Sequence, residues 1–203
     1  MMIAIIKYGM GNVASVQKAL KKLGFQSIIT DNHEEICQAD LIVLPGVGSF
    51  QVGMENLRKA GLADLLTQEV VTNKKPFIGI CLGMQLLATY GNEPVRCTGL
   101  NWVAGEVKKI ETNLRLPHLG WNDVHLTKNN VDFYQEFDGL DYYFIHSYHF
   151  VAKNQADISL SVVYDFPLIA ALQKDNIYAM QFHPEKSQGA GMELLKRIIN
   201  QYA

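Results

Sequence analysis

The sequence has no long apolar run, no basic cluster and almost no cysteine, and each lack closes off a class of function. A helix that crosses a bilayer needs about 20 successive apolar residues, and no stretch comes near that, so no membrane association is expected. The opening apolar stretch, Met1–Ile6, is too short for a secretory leader and runs into Lys7 and a glycine-rich turn, so it reads as a strand. Lys and Arg number 18 against 20 Asp and Glu, with no patch of either sign, which argues against a nucleic-acid partner. The three cysteines, Cys37, Cys81 and Cys97, are odd in number and lack framework spacing. They suit a reducing cytoplasm and exclude a disulfide scaffold. Apart from His146 and His149, no histidine or cysteine pair stands at zinc spacing, so no metal and no cofactor are expected.

What is present fits one globular domain over residues 1–203, without linker, repeat or low-complexity segment. Strand and helix patterns alternate through the first ninety residues. Met2–Lys7, Phe25–Ile29, Leu41–Leu44 and Phe77–Ile80 read as buried strands. Between them lie a helix from Val13 to Gly24, a short one around Glu34–Cys37, and a helical pattern from Met54 to Val70 bent near Gly61. Such alternation predicts an α/β fold, a mostly parallel central sheet with helices on both faces. Ligands then bind beyond the carboxyl ends of the strands. Three glycine loops fall there: Gly9–Asn12, Pro45–Gly48 and the turn at Cys81. From Gly91 the pattern changes to short strands: Trp102–Ile110, Trp121–Leu126, Tyr142–Phe150, Ile158–Val163, Ile169–Gln173 and Ile177–Phe182. They predict an extension of the sheet and a smaller antiparallel layer, closed by a helix within Ser187–Tyr202.

The stretch Pro76–Gln85 carries the strongest chemical signal. An apolar strand ends at Cys81, glycines stand two positions to either side, and Met84, Leu86, Leu87 and Ala88 begin a helical pattern. Strand, sharp turn and helix with a nucleophile at the turn is the nucleophile-elbow arrangement, here with cysteine. A thiol at a helix N-terminus is biased toward thiolate, and the Leu82 N–H is free to meet a developing oxyanion. A lone cysteine after a buried strand is otherwise a small core residue, and local sequence leaves both readings open.

A nucleophilic cysteine needs a base and a group to orient it. Of six histidines, His183 has the best context, in Met180-Gln181-Phe182-His183-Pro184-Glu185. Pro184 stops the strand, so His183 sits at a strand's carboxyl end as Cys81 does. Glu185, two residues on, can accept from the far imidazole nitrogen. A solvated surface His–Glu pair is the alternative. His146 and His149, read on one strand, point to opposite faces and do not pair as metal ligands. His118 and His125 flank Trp121 and read as structural or interface residues.

Taken together, Gly79–Gln85, Pro45–Gly48, Pro117–Asn122, His146–Tyr148 and Gln181–Ser187 resemble the class I glutamine amidotransferases, which have a flavodoxin-like fold. Within that family they are most similar to the glutaminase subunits of imidazole glycerol phosphate synthase, over essentially the whole chain. The resemblance implies a catalytic triad of Cys81, His183 and Glu185 acting on L-glutamine through a thioester. It implies an oxyanion hole from Leu82 with Val47 or Gly48, and substrate contacts at Gly46, Gln85, Glu93, Ser147 and Tyr148. It also implies delivery of ammonia to a (β/α)8 barrel subunit in a heterodimer, with Asn12, Trp121 and Lys186 at the interface. Lys7 replaces an acid common in the family, and Gly91–Arg96 replaces a more acidic stretch, so a barrel partner in cell-surface amino-sugar synthesis is the alternative. A thiol peptidase and a non-catalytic regulatory subunit are the competing classes.

Overall fold

The computed structural model describes residues 1–128 and 131–203. In chain order, β1 (Met2–Ile6), α1 (Val13–Lys22), β2 (Gln26–Thr30), α2 (His33–Gln38) and β3 (Leu41–Gly46) form the first parallel units. The helices α3 (Phe50–Lys59) and α4 (Leu62–Thr67) follow, with a π-helical turn over Gln68–Thr72. The bend expected near Gly61 is a full break, where Gly61 takes a left-handed φ of 68°. Next come β4 (Phe77–Cys81), the one-turn helix α5 (Leu82–Gln85), β5 (Tyr90–Asn92), β6 (Arg96–Thr98), β7 (Gly105–Lys109) and β8 (His118–Leu126). The chain ends with α6 (Val131–Tyr134), β9 (Asp141–His146), β10 (Tyr148–Ala152), β11 (Ile158–Tyr164), β12 (Phe166–Lys174), β13 (Ile177–Met180) and α7 (Gln188–Asn200).

Among the described residues, nine strands form one sheet in the order β2-β1-β3-β4-β13-β12-β11-β8-β9. The first five run parallel and the remaining pairings are antiparallel. A second sheet, β10-β7-β5-β6, lies apart; its β5–β7 pairing is parallel and the other two are antiparallel.

Alternation along the parallel strands explains the core. Ile3, Ile5, Leu41, Val43, Ile78 and Ile80 face one side of the sheet, with residues of α1 and α7. Ala4, Ile6, Ile42, Leu44 and Phe77 face the other, with α3, α4 and the elbow. Strands buried on both faces read as continuous apolar runs, as these do. The helix ends are specified locally. Asn12 caps α1 by accepting from Ser15 N–H, and Ser49 caps α3 by accepting from Val52 N–H.

Four expectations change. Tyr142–Phe150 is not one strand: it breaks at Ser147 into β9 and β10, which belong to different sheets. His146 and His149 therefore sit in separate sheets rather than on two faces of one strand. Strand β7 begins at Gly105, because Trp102 is held by its own contacts, an indole N–H to Thr67 Oγ1 and a ring edge against Phe77. The segment around Gly91, where the sequence pattern marks no strand, pairs as β5 and β6. Finally, the elbow helix stops at Gln85. The carbonyls of Leu86, Leu87 and Ala88 accept instead from Leu100, Trp102, Val103 and Asn101, so an incoming loop replaces further helical turns.

The closest approach in the fold lies under the elbow. A Cβ built on Gly83 would stand 1.8 Å from the Leu44 carbonyl oxygen. Neither side can yield, because Leu44 is inside β3 and Gly83 inside α5. Gly83→Ala is expected to destabilise the protein by about 3 kcal/mol or more, measured by urea unfolding. A variant as stable as the wild type would contradict the packing described.

Candidate active site

The parallel strands β3, β4 and β13 are neighbours, so their carboxyl ends emerge side by side. Gly46 at the end of β3 is paired with Cys81 at the end of β4, and the chain beyond β13 carries His183. This register brings the loops at Val47, Cys81 and His183 together from distant parts of the sequence.

Cys81 is buried and adopts φ 54°, ψ −110°, a strained backbone for a residue with a side chain. The strain turns the chain from β4 into α5 and points the sulfur away from the strand, as an elbow requires. Sγ lies 4.0 Å from the Ile145 carbonyl and accepts from Gln181 Nε2 at 3.7 Å. His183 Nδ1 bonds Glu185 Oε1 at 2.8 Å, and both side chains are almost fully buried, at 2% and 1% exposure. The solvated-pair alternative is thereby removed. The His183 backbone N–H donates to Tyr143 O on β9, and Ser187 Oγ donates to His183 O, so the loop is fixed at both ends. His183 Nε2 has no fully formed hydrogen bond, and pairs of this kind commonly align only when substrate binds. Burial pushes the His183 pKa down, but bonding and charge from Cys81 and Glu185 outweigh it and raise the value to about 9. Glu185 and the sulfur together thus set the imidazole's affinity for a proton.

A pocket of about 190 Å³ opens in front of Cys81. Its size is below the roughly 300 Å³ at which drug-sized ligand sites begin, which suits a small substrate. Leu82, Val47, Gly48, Ser147 and Tyr148 line it, with Gln85 and Glu93 also on its surface. Gly46 is not on the wall. It packs behind it, where an added Cβ would meet Tyr8 Oη at 2.3 Å and Leu82 Cβ at 2.9 Å. Glu93 reaches the pocket while its Oε2 accepts from Phe50 N–H at the start of α3, at 3.0 Å. Burial raises its pKa, and the Phe50 bond opposes that. Gln85 is 4% exposed. Its Nε2 is already committed to Tyr148 O and Gln181 Oε1, both at 2.9 Å, which leaves Oε1 for a ligand.

The sequence reading left out three groups. Ile145 and His146 line the pocket, and Gln181 touches the sulfur. His146 belongs to a buried chain: its Nδ1 bonds Tyr148 O at 2.9 Å and its Nε2 meets His118 Nδ1 at 3.1 Å. His118 Nε2 in turn meets Asn122 Nδ2 at 3.2 Å. Burial holds His118 down at about 4. Burial likewise takes His146 to about 3, against the opposing bond to Tyr148. Both rings are neutral and structural at pH 7, as expected for His118, whereas His125 pairs with Asp123 on the surface at 2.9 Å. A signal for Gln181 was present, since it shares strand parity with His183 and sits in a run of otherwise apolar residues.

The residues expected at an interface are all exposed. Trp121 packs edge-on against Tyr143 at 6.1 Å, and Lys186 Nζ lies 5.7 Å from the same ring. Asn12 is exposed as the cap of α1. Leu119, Ile145 and Val47 add further exposed apolar surface, at 58%, 38% and 40%.

The raised pKa of His183 sets a pH dependence. Its folded value lies above its ordinary 6.5, so the stability it contributes is fully present below pH 6.5 and is lost as pH rises through about 9. In Cys81→Ala, burial acts against Glu185 alone, so the ring should titrate lower. NMR of the His183 ring checks this; an unchanged midpoint would mean that Cys81 does not set it.

The family model for glutamine amidotransferase class-I matches residues 4–201. The protein named imidazole glycerol phosphate synthase subunit HisH 1 of Campylobacter jejuni (strain RM1221) is 45% identical, covering 98% of this chain and 99% of the relative. Subunit HisH 2 of Methanococcus maripaludis is 44% identical over 98% of this chain and 100% of its own length. Among solved structures, one titled as a glutamine amidotransferase superposes with a TM-score of 0.76 at 17% identity, over 96% of this chain and 98% of that one. PurLQS from Thermotoga maritima matches equally, with a TM-score of 0.76 at 18% identity, over 100% and 99%. The fold, with its mixed sheet and helices on both faces, is that of these proteins, and this chain belongs to the class I glutamine amidotransferase family.

Proposed function

We propose that this protein is the glutaminase subunit of an imidazole glycerol phosphate synthase, hydrolysing L-glutamine for histidine biosynthesis. The observation that carries the reading is the site's geometry. An elbow cysteine and a buried His183–Glu185 pair at 2.8 Å meet at one end of the sheet, in a chain 45% identical over nearly its full length to a protein named as that subunit.

The chemistry follows from the groups present. His183 takes the proton of Cys81 as the sulfur attacks the side-chain amide carbon of glutamine. The carbonyl oxygen takes up the charge and faces the Leu82 N–H, with Val47 or Gly48 supplying a second donor. Collapse breaks the C–N bond, and ammonia leaves with the proton from His183. A glutamyl thioester remains. Water then attacks it, His183 takes the water's proton, and the C–S bond breaks to give glutamate and free Cys81. Glu185 holds the imidazole orientation and supports its positive charge throughout. Glu93 suits the α-ammonium of glutamine, and the Ser147-Tyr148 backbone suits its α-carboxylate.

Ammonia released into water would be protonated and lost. The products therefore make sense only with an acceptor subunit docked on the rim, and the exposed cluster of Trp121, Lys186 and Asn12 is the surface for it. The acceptor is a (β/α)8 synthase barrel, which inserts the nitrogen and yields imidazole glycerol phosphate and an aminoimidazole carboxamide ribonucleotide. The small pocket speaks against a peptidase, and the intact triad against a regulatory subunit. Full-length identity to synthase subunits gives no support to the amino-sugar alternative. No helix among the described residues is long and apolar enough to cross a membrane; the proposed site of action is the cytoplasm, which suits three free cysteines.

Two outcomes are expected. Cys81→Ala should abolish synthesis from glutamine in the complex yet retain synthesis from ammonium salts. Loss of both activities would sink this division of labour. The peptide at Val47 lies between two glycines and can turn over cheaply, so the oxyanion hole is completed on docking. The free chain should then hydrolyse glutamine at least tenfold more slowly than the complex, as for loss of one oxyanion donor. Equal rates would refute it.

A further inference from the structure

The hydrogen bonds around the pocket permit only one direction, and it can be worked out from a single atom. Tyr148 O is a carbonyl and can only accept. Gln85 must therefore turn Nε2 toward it at 2.9 Å, and the same nitrogen donates its second proton to Gln181 Oε1, also at 2.9 Å. With its oxygen so engaged, Gln181 directs Nε2 at the Cys81 sulfur, 3.7 Å away. Turning the Gln181 amide over would set two N–H groups against each other at Gln85 and an oxygen against the sulfur. Gln181 has no exposure at all, so water offers it no alternative partner.

A second branch fixes the same anchor. His146 Nδ1–H donates to Tyr148 O, leaving Nε2 to accept from His118 Nδ1–H. His118 Nε2 then accepts from Asn122 Nδ2, which also donates to Val163 O at 2.9 Å. Every donor along this path has an acceptor and no two donors face each other. The His118 ring is clamped between Phe144 and Tyr164, with centroids 4.8 and 4.1 Å away, so the path cannot easily rearrange.

We propose that Gln181 is the residue that positions and activates the nucleophile: its Nε2–H bonds the Cys81 sulfur, in an orientation imposed by Gln85 and Tyr148 O. The bond favours the thiolate. It also opposes the Ile145 carbonyl, 4.0 Å from the same sulfur, which favours the protonated thiol. The role differs from those of His183 and Glu185, since Gln181 never exchanges a proton. It makes Gln85 a relay as much as a substrate contact. The inference rests on the reading of Cys81 as nucleophile.

The test is the pH profile of Cys81 alkylation by iodoacetamide in the full-length protein without glutamine. It is read on the Cys81 peptide by mass spectrometry, so that Cys37 and Cys97 do not contribute. The titratable groups acting with Cys81, His183 and Tyr8, stay in place. In Gln181→Met, which keeps length and loses the donor, the midpoint should rise by about one pH unit, as for loss of a hydrogen bond to a charged group. In the complex, kcat should fall at least tenfold, again about one pH unit's worth, with KM little changed. A folded Gln181→Met protein with the wild-type midpoint overturns the proposal. If that variant does not fold, Gln85→Met provides the test: it leaves the Gln181 amide but frees its orientation, so a smaller upward shift is expected and no shift overturns the proposal. Alkylation needs no turnover, so the two readings can fail separately. A wild-type complex that releases no ammonia from glutamine would defeat the proposed function and leave the alkylation result standing.

Discussion

The site depends on how closely the elbow helix α5 lies on strand β3. Gly83 sits so near the Leu44 carbonyl that any side chain is excluded, and this contact holds the chain as it leaves Cys81. A left-handed φ at cysteine costs on the order of 1–3 kcal/mol, and four residues of helix cannot hold it, since isolated helices of that length are unstable. Tertiary contacts do so. Leu82 and Met84 are buried, worth about 2 kcal/mol each by burial, and the loop at residues 100–103 takes the carbonyls that further helical turns would have used. The same contact brings Leu82 Cβ against Gly46. The two stretches that could supply oxyanion donors, one after β3 and one after β4, are therefore adjacent because the elbow is packed, not because either loop is shaped for it.

Histidines in this small region divide cleanly by their partners. His183 and His146 are both buried, yet one pKa is raised and the other lowered. Burial acts downward on both. His183 faces a sulfur and a carboxylate, and their attraction for a proton exceeds the cost of burial. His146 faces a carbonyl and a second neutral ring, which cannot offset it. A buried carboxylate beside His183 is what separates a ring with a raised pKa from one with a lowered pKa. Neutrality has its own use, because a ring that never gains a proton keeps its tautomer and so preserves the direction of the chain that ends at Gln181.

The parallel half of the fold was legible because its signals are local. Buried runs such as Ile3–Ile6 and Leu41–Leu44, with glycine loops after them, name both the strands and the site-bearing ends. Cys81, His183 and Glu185 were legible for the same reason, each standing at a strand end beside a Gly or Pro. The antiparallel half was read less well. Tyr142–Phe150 has unbroken β propensity, and only the demand that Ser147 pass from one sheet to another splits it. Trp102 and Leu87 likewise looked periodic, but their backbone and ring partners lie elsewhere in the chain. Gln181 and Gln85 carried sequence signals, but the hydrogen-bond chain that joins them and the one through His146 were not readable, because hydrogen-bond direction is a property of the assembled set and no single residue carries it.

The rim and His183 are joined through one residue. Tyr143 on β9 carries Trp121 and Lys186 against its ring, and its backbone carbonyl accepts from the His183 N–H while its own N–H donates to Ser187. Two positions on, Ile145 turns its carbonyl toward the Cys81 sulfur. A subunit pressing on the rim would therefore bear on the strand that holds both His183 and a carbonyl facing the Cys81 sulfur. Proximity alone is not coupling, which needs an element with two arrangements that docking can bias. β9 is paired along its length with β8 and is a poor candidate. The exposed peptide at Val47, between Gly46 and Gly48, is a better one: Gly48 holds a φ of 115° that a side chain would oppose, and reversing that peptide exchanges an N–H for a carbonyl at the pocket wall. On the proposed chemistry, a docked subunit would then act on charge stabilisation in the transition state, leaving His183, Glu185 and Gln181 as the free chain already holds them.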